Sequence, residues 1–170
     1  MRRYLFFICA ATTLFAGVIK QPETAVSQRY PHAKFEKKRA LLSSTEATRI
    51  EHEARQKLPS KIMTYYEIAS EDKKLYAVLL TTKVRSKTMT SLTFIEAGKI
   101  TGIEMIAFYE PGEYLPSERW LDTLNGKSSD DAIQPKRDLP TITGATLSAN
   151  AVAKSARLAL AFIVVKGGVL

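Results

Sequence analysis

The chain has 170 residues, with 25 Lys plus Arg, 17 Asp plus Glu, one Cys and one Trp. This length fits a single domain of ordinary size, and 45% hydrophobic with 25% charged residues excludes a wholly disordered chain. A lone Cys excludes an internal disulfide, and no Cys/His cluster offers structural zinc ligands. The formal net charge of +8 admits an acidic partner, an anionic membrane surface or nucleic acid.

Arg2 and Arg3 precede an apolar run from Tyr4 to Ile19, with the small residues Ala16 and Gly17 near its end. This pattern reads as a secretory signal peptide over residues 1–19. Leu14 stands at −3 from Ala16 and makes a poor cleavage site, so an uncleaved anchor is the alternative. The run has 16 residues, short of the ~20 that span a bilayer comfortably. Cys9 follows Ile8 and does not make a lipoprotein signal. Removing the segment takes Arg2, Arg3 and Cys9 with it, leaving a cysteine-free chain whose charge falls from +8 to +6. Such a chain suits an oxidising compartment.

Residues 20–42 hold Pro22, Pro31 and the basic run Lys34–Arg39, and they read as a linker. Lys37-Lys38-Arg39 suits either anionic lipid or a solvated face. A first helix is expected over 43–59. Ser43 and Glu46 have capping-box spacing, Ala47, Ile50, Ala54 and Leu58 form one stripe, and Pro59 ends it. His52 lies off the stripe as a surface residue.

Four strands follow: Lys61–Ile68, Leu75–Val84, Thr88–Ile95 and Ile100–Tyr109. Glu71-Asp72-Lys73-Lys74 is a polar turn, and Glu96-Ala97-Gly98-Lys99 is a hairpin loop. Leu75–Val84 is apolar on both faces and is expected to be central. Beyond Glu110-Pro111-Gly112-Glu113-Tyr114, a short helix is expected over Ser117–Leu124, stopped by Asn125-Gly126. Residues 127–140 read as a surface loop. Ser148–Lys166 is the clearest helix: Val152, Ala156, Ala159, Leu160 and Ile163 face the core, while Lys154 and Arg157 face away. The fold class is α+β, an antiparallel sheet of about four strands packed with an N-terminal and a C-terminal helix.

Chemistry concentrates in Thr141-Ile142-Thr143-Gly144-Ala145-Thr146-Leu147-Ser148, which opens into the last helix. Gly144 lets backbone approach a ligand closely. A helix start presents unpaired amides and partial positive charge, which favours phosphate. Hydroxyls of Thr143, Thr146 and Ser148 could add hydrogen bonds. The same residue types also serve as ordinary N-caps.

Thr143-Gly144-Ala145-Thr146 resembles the [Ser/Thr]-Gly-Ala-Thr signature of the FMN-binding domain family. That family includes periplasmic flavoprotein subunits of the Rnf and sodium-translocating NADH:quinone oxidoreductase complexes. The hairpin running into Glu110-Pro111-Gly112, and Trp120-Leu121 followed by Asn125-Gly126-Lys127, resemble its upstream context over about residues 60–165. The resemblance implies FMN esterified through its phosphate to Thr146 by a flavin transferase. Many members carry an Asp three residues before the motif; here that place is Pro140, and the nearest acid is Asp138.

The resemblance places Gly144, Ala145, Leu147 and Ser148 around the phosphate. Tyr109, Tyr114 and Trp120 are candidates for the ring environment, although Trp120, spaced with Leu121 and Leu124, also suits a core. Glu110 or Glu113 would meet ribityl hydroxyls, and Arg119 or Lys127 the phosphate. No side-chain set forms an acid–base or nucleophilic site, which favours electron transfer. The expected protein is an exported, periplasmic or inner-membrane-anchored electron carrier whose redox partner is a cytochrome or membrane oxidoreductase. A cofactor-free interaction module and a reductase with non-covalent FMN are the alternatives. Nucleic acid is not expected, because no basic helix or aromatic–basic stripe is present.

Overall fold

The computed structural model describes residues 17–70 and 73–167. Most of the expected signal segment, with Cys9, lies outside the described residues, as does the Glu71-Asp72 half of the polar turn. The described chain is α+β. Its strands are β1 (Gly17–Val18), β2 (Lys34–Leu41), β3 (Ile62–Ser70), β4 (Lys73–Lys83), β5 (Thr88–Glu96) and β6 (Lys99–Phe108). They form one antiparallel sheet in the order β1-β6-β5-β4-β3-β2. The helices are α1 (Pro22–Arg29), α2 (Ser44–Ala54), α3 (Glu118–Leu121) and α4 (Thr146–Val165), with 3₁₀ turns at Gly112–Tyr114 and Asp122–Leu124.

The sheet has six strands rather than about four, and residues 20–42 are not a linker. They fold as α1 and β2. The sequence hides α1 because it is short and buries only Ala25 and Val26. It hides β2 because an edge strand carries charge on both faces, a common defence against edge-to-edge pairing. Lys37 pairs with Glu23 at 2.9 Å, and Lys38 with Glu67 at 2.9 Å, so two cations of the basic run are bound within the fold. β1 is too short for any pattern; Gly17 and Val18 pair with Phe108 and Ala107.

β4 is central and apolar on both faces. Tyr76, Val78 and Leu80 join the larger core under α2 and α4, whereas Leu75 and Ala77 join the smaller one under α1. α2 has its capping box: Ser43 Oγ accepts from the Glu46 amide at 3.2 Å, and Glu46 Oε2 from the Ser43 amide at 2.9 Å. The helix ends at Ala54 and not at Pro59, because Arg55 turns into the left-handed region at φ 55°. His52 is exposed.

α4 is long and apolar enough to cross a membrane by composition alone, yet it is mostly buried in the protein core. It begins at Thr146, two residues before the expected start. Lys154 is exposed, but Arg157 does not face away. Its guanidinium donates to the carbonyls of Ala54 at 3.1 Å and Ile133 at 2.5 Å. Arg157 thus ties α4 to the end of α2 and to the 127–140 loop. That loop is held from inside: Lys127 pairs with Asp131 and Asp138, both at 3.2 Å.

The β5–β6 hairpin closes through Ala97 and Gly98, with φ of 46° and 74°. Two successive positive φ values define the type I′ turn that matches strand twist. Gly98 adopts this freely, whereas Ala97 pays for its Cβ. Ala97→Asn is expected to raise stability by about 0.5–1 kcal/mol, read by urea unfolding.

Candidate functional site

At one end of the sheet, the β4–β5 turn, the exit of β6 and the start of α4 enclose a cleft of about 240 Å³. It is lined by Val84, Arg85, Glu110, Tyr114, Gly144, Ala145, Leu147 and Ser148. Larger hollows lie elsewhere, about 330 Å³ beside Gly102 and about 500 Å³ beside Lys34 and Lys74. Neither contains the start of α4 or the small-residue turn.

Gly144 has φ 85°, where an L side chain is strained, and a Cβ there would meet nothing within 4 Å. The glycine is therefore needed for its backbone, which turns the chain into α4. The N-cap is Ala145, and no side chain caps the helix. Among the described residues, the amides of Thr146, Leu147 and Ser148 have no protein acceptor; the first intrahelical bond runs from Ala149 to Ala145 at 2.9 Å. Ordinary Ser/Thr capping is thus absent. Thr146 is exposed, and its hydroxyl donates to the Ile142 carbonyl at 3.0 Å. Ser148 is 1% exposed, and its hydroxyl has no partner although it lines the cleft. An uncapped helix start with an orphaned buried hydroxyl fits a phosphate.

Glu110 lines the cleft and also fastens the β4–β5 turn. It is buried, and Oε1 accepts from the amides of Arg85 at 3.2 Å, Ser86 at 2.8 Å and Lys87 at 2.8 Å. The Ser86 hydroxyl adds contacts at 3.3 and 3.4 Å to the two carboxylate oxygens. Oε1 is taken up by the turn, while Oε2 meets only the Ser86 hydroxyl. The Lys87 amide lowers the Glu110 pKa most; burial opposes it, and the Ser86 and Arg85 groups add to the lowering.

Trp120 is buried in the core, and its indole N–H donates to the Pro140 carbonyl at 2.9 Å. It does not line the cleft; it anchors the strand of chain entering the motif. Tyr114 is half-buried and does line it. Thr143, Glu113, Arg119 and Tyr109 are exposed and outside the lining. Lys127 is bound to Asp131 and Asp138, away from the cleft lining. Asp138 accepts from the amides of Ile133 at 2.9 Å and Gln134 at 2.8 Å, so it fixes its own loop and does not replace the Asp absent at Pro140.

Residues 85–161 match the family model of the FMN-binding domain. This stretch of the chain is similar to an FMN-binding domain. The matched stretch contains every cleft-lining residue but Val84, and it leaves β1 to β4, α1 and α2 outside. No curated protein and no solved structure matches the chain. Among the described residues, no cluster of His, Cys, Asp or Glu could hold a metal.

Arg85 is the cleft residue that the sequence does not single out. It sits in a short basic turn that looks like any hairpin connection. Its partner in forming the cleft wall, Glu110, lies 25 positions away.

Two outcomes follow for this end of the sheet. A lowered native pKa makes the Glu110 contribution full above the unfolded value of about 4.3 and lost as pH falls through the native value. Glu110→Gln should therefore melt below the wild type at about pH 7, with the gap closing below about pH 4. Thermal melts across pH check this, and a gap independent of pH would count against it. Trp120→Phe should cost about 1 kcal/mol in urea unfolding, since it keeps the apolar body and loses one hydrogen bond.

Proposed function

We propose that the protein is an extracytoplasmic electron-transfer flavoprotein with FMN esterified through its phosphate to Thr146. The observation that carries this reading is the start of α4. It has no side-chain cap, three free amides and the unpartnered Ser148 hydroxyl, within a matched FMN-binding domain. The exposure of Thr146 supports access by a flavin transferase. The basic, apolar N-terminal sequence supports export to the periplasm, with retention at the inner membrane if it is not removed.

When bound, FMN supplies the redox chemistry, exchanging one or two electrons. The protein's part is to bind and orient. The amides of Thr146, Leu147 and Ser148 would face the phosphate, Gly144 would leave room beside it, and Tyr114 offers an aromatic face. The cleft volume of about 240 Å³ lies below the ~300 Å³ at which pockets begin to engulf drug-sized ligands. A flavin held there keeps part of its surface in solvent, which suits electron exchange with a cytochrome or membrane oxidoreductase.

Intact mass of the natively produced protein tests the reading. The expected result is an increase equal to FMN minus water, mapped to Thr146 and lost in Thr146→Ala. The flavin colour should survive denaturation. Flavin released by denaturant would instead indicate a non-covalent cofactor. An unmodified Thr146 with no flavin would leave an interaction module.

A further inference from the structure

We propose that Arg85 is the counter-charge of the phosphate site, held in place by Glu110 as a positioning residue. This rests on the FMN reading of the same cleft, and it assigns the ligand's anionic group a second anchor that the attachment motif does not contain.

Of the cleft-lining residues, Arg85 and Glu110 alone are charged. Glu110 is occupied by the amides of residues 85–87. Arg85 is exposed, and among the described residues it makes no salt bridge. The turn that carries it is closed by the Val84 amide on the Lys87 carbonyl at 2.9 Å. The Arg85 backbone is thus fixed on the cleft wall, while its guanidinium is uncommitted.

Another wall of the cleft is the positive end of α4, with its free amides. Two positive elements therefore line one cleft, and the sole carboxylate there already accepts from the turn. An anion between them satisfies both. A guanidinium offers paired donors that suit phosphate oxygens. The buried Ser148 hydroxyl supplies a third donor that no protein group uses.

The test uses the full chain produced without a flavin transferase, titrated with FMN and with riboflavin while flavin fluorescence is followed. The two ligands differ only in the phosphate. The wild type should bind FMN at least about tenfold more tightly than riboflavin, the size of a charge-assisted hydrogen bond. Arg85→Ala should remove about that factor from FMN affinity and leave riboflavin within about twofold. Arg85→Lys should recover part of the loss, and raised salt should weaken FMN binding to the wild type more than to Arg85→Ala.

Equal binding of FMN and riboflavin by the wild type overturns the proposal, as does no measurable FMN binding. Equal weakening of both ligands in Arg85→Ala also overturns it, because Arg85 would then serve the ring or the fold. The two readings fail separately. An FMN preference that depends on Arg85, in a chain whose native form carries no ester, would sustain Arg85 and sink covalent attachment. An ester on Thr146 with no Arg85-dependent preference would do the reverse.

Discussion

The burial of α4 against the sheet is the constraint on which the rest depends. Ala149, Ala153, Ala156 and Ala159 are all buried, so the helix backbone approaches its neighbours closely. α2 packs beside it, and the Ser155 hydroxyl meets that of Thr82 on β4 at 2.7 Å. A helix seated this firmly has no freedom to slide along its axis. Its first turn is therefore delivered to the end of the sheet, beside the β4–β5 turn and Glu110. The cleft follows from where the helix must begin.

Glu110 then decides what the opposite wall is made of. A carboxylate that accepts from three successive amides behaves as a backbone fastener. By taking the amides of residues 85–87, it fixes the main chain of the turn and leaves the side chains outward. Trp120 performs the matching task on the motif side through Pro140. Glu110 and Trp120 thus hold the two segments that border the cleft.

The sequence made much of this legible where periodicity is strong. β3 to β6, the Ser43 capping box and the apolar stripe of α4 all follow from spacing, because burial on one face imposes a pattern. β2 and α1 escaped because the edge of the sheet is charged and the covering helix buries only Ala25 and Val26. The motif was visible as a string of small residues before a helix. Its uncapped start was not, since Ser and Thr there suggest capping and the N-cap is Ala145. The link between Arg85 and Glu110 was beyond reach for a different reason. Their relation runs through backbone amides across 25 positions, and side-chain identity carries no trace of it.

The modest cleft and the place of Thr146 bear on each other. Affinity for a small ligand grows with the surface it buries, and a cleft of about 240 Å³ buries a limited share of a flavin nucleotide. A protein exposed to a dilute medium would lose such a ligand if it relied on contact alone. Enlarging the cleft would retain the ligand but cover the ring that must exchange electrons. An ester on an exposed hydroxyl at the cleft's rim separates the two demands. Retention passes to the covalent bond, so the cleft need only orient the phosphate end and can leave the ring accessible. The positive elements around it, Arg85 and the start of α4, then hold and direct the phosphate end. That division explains why a small cleft suffices for a redox carrier on the reading proposed here.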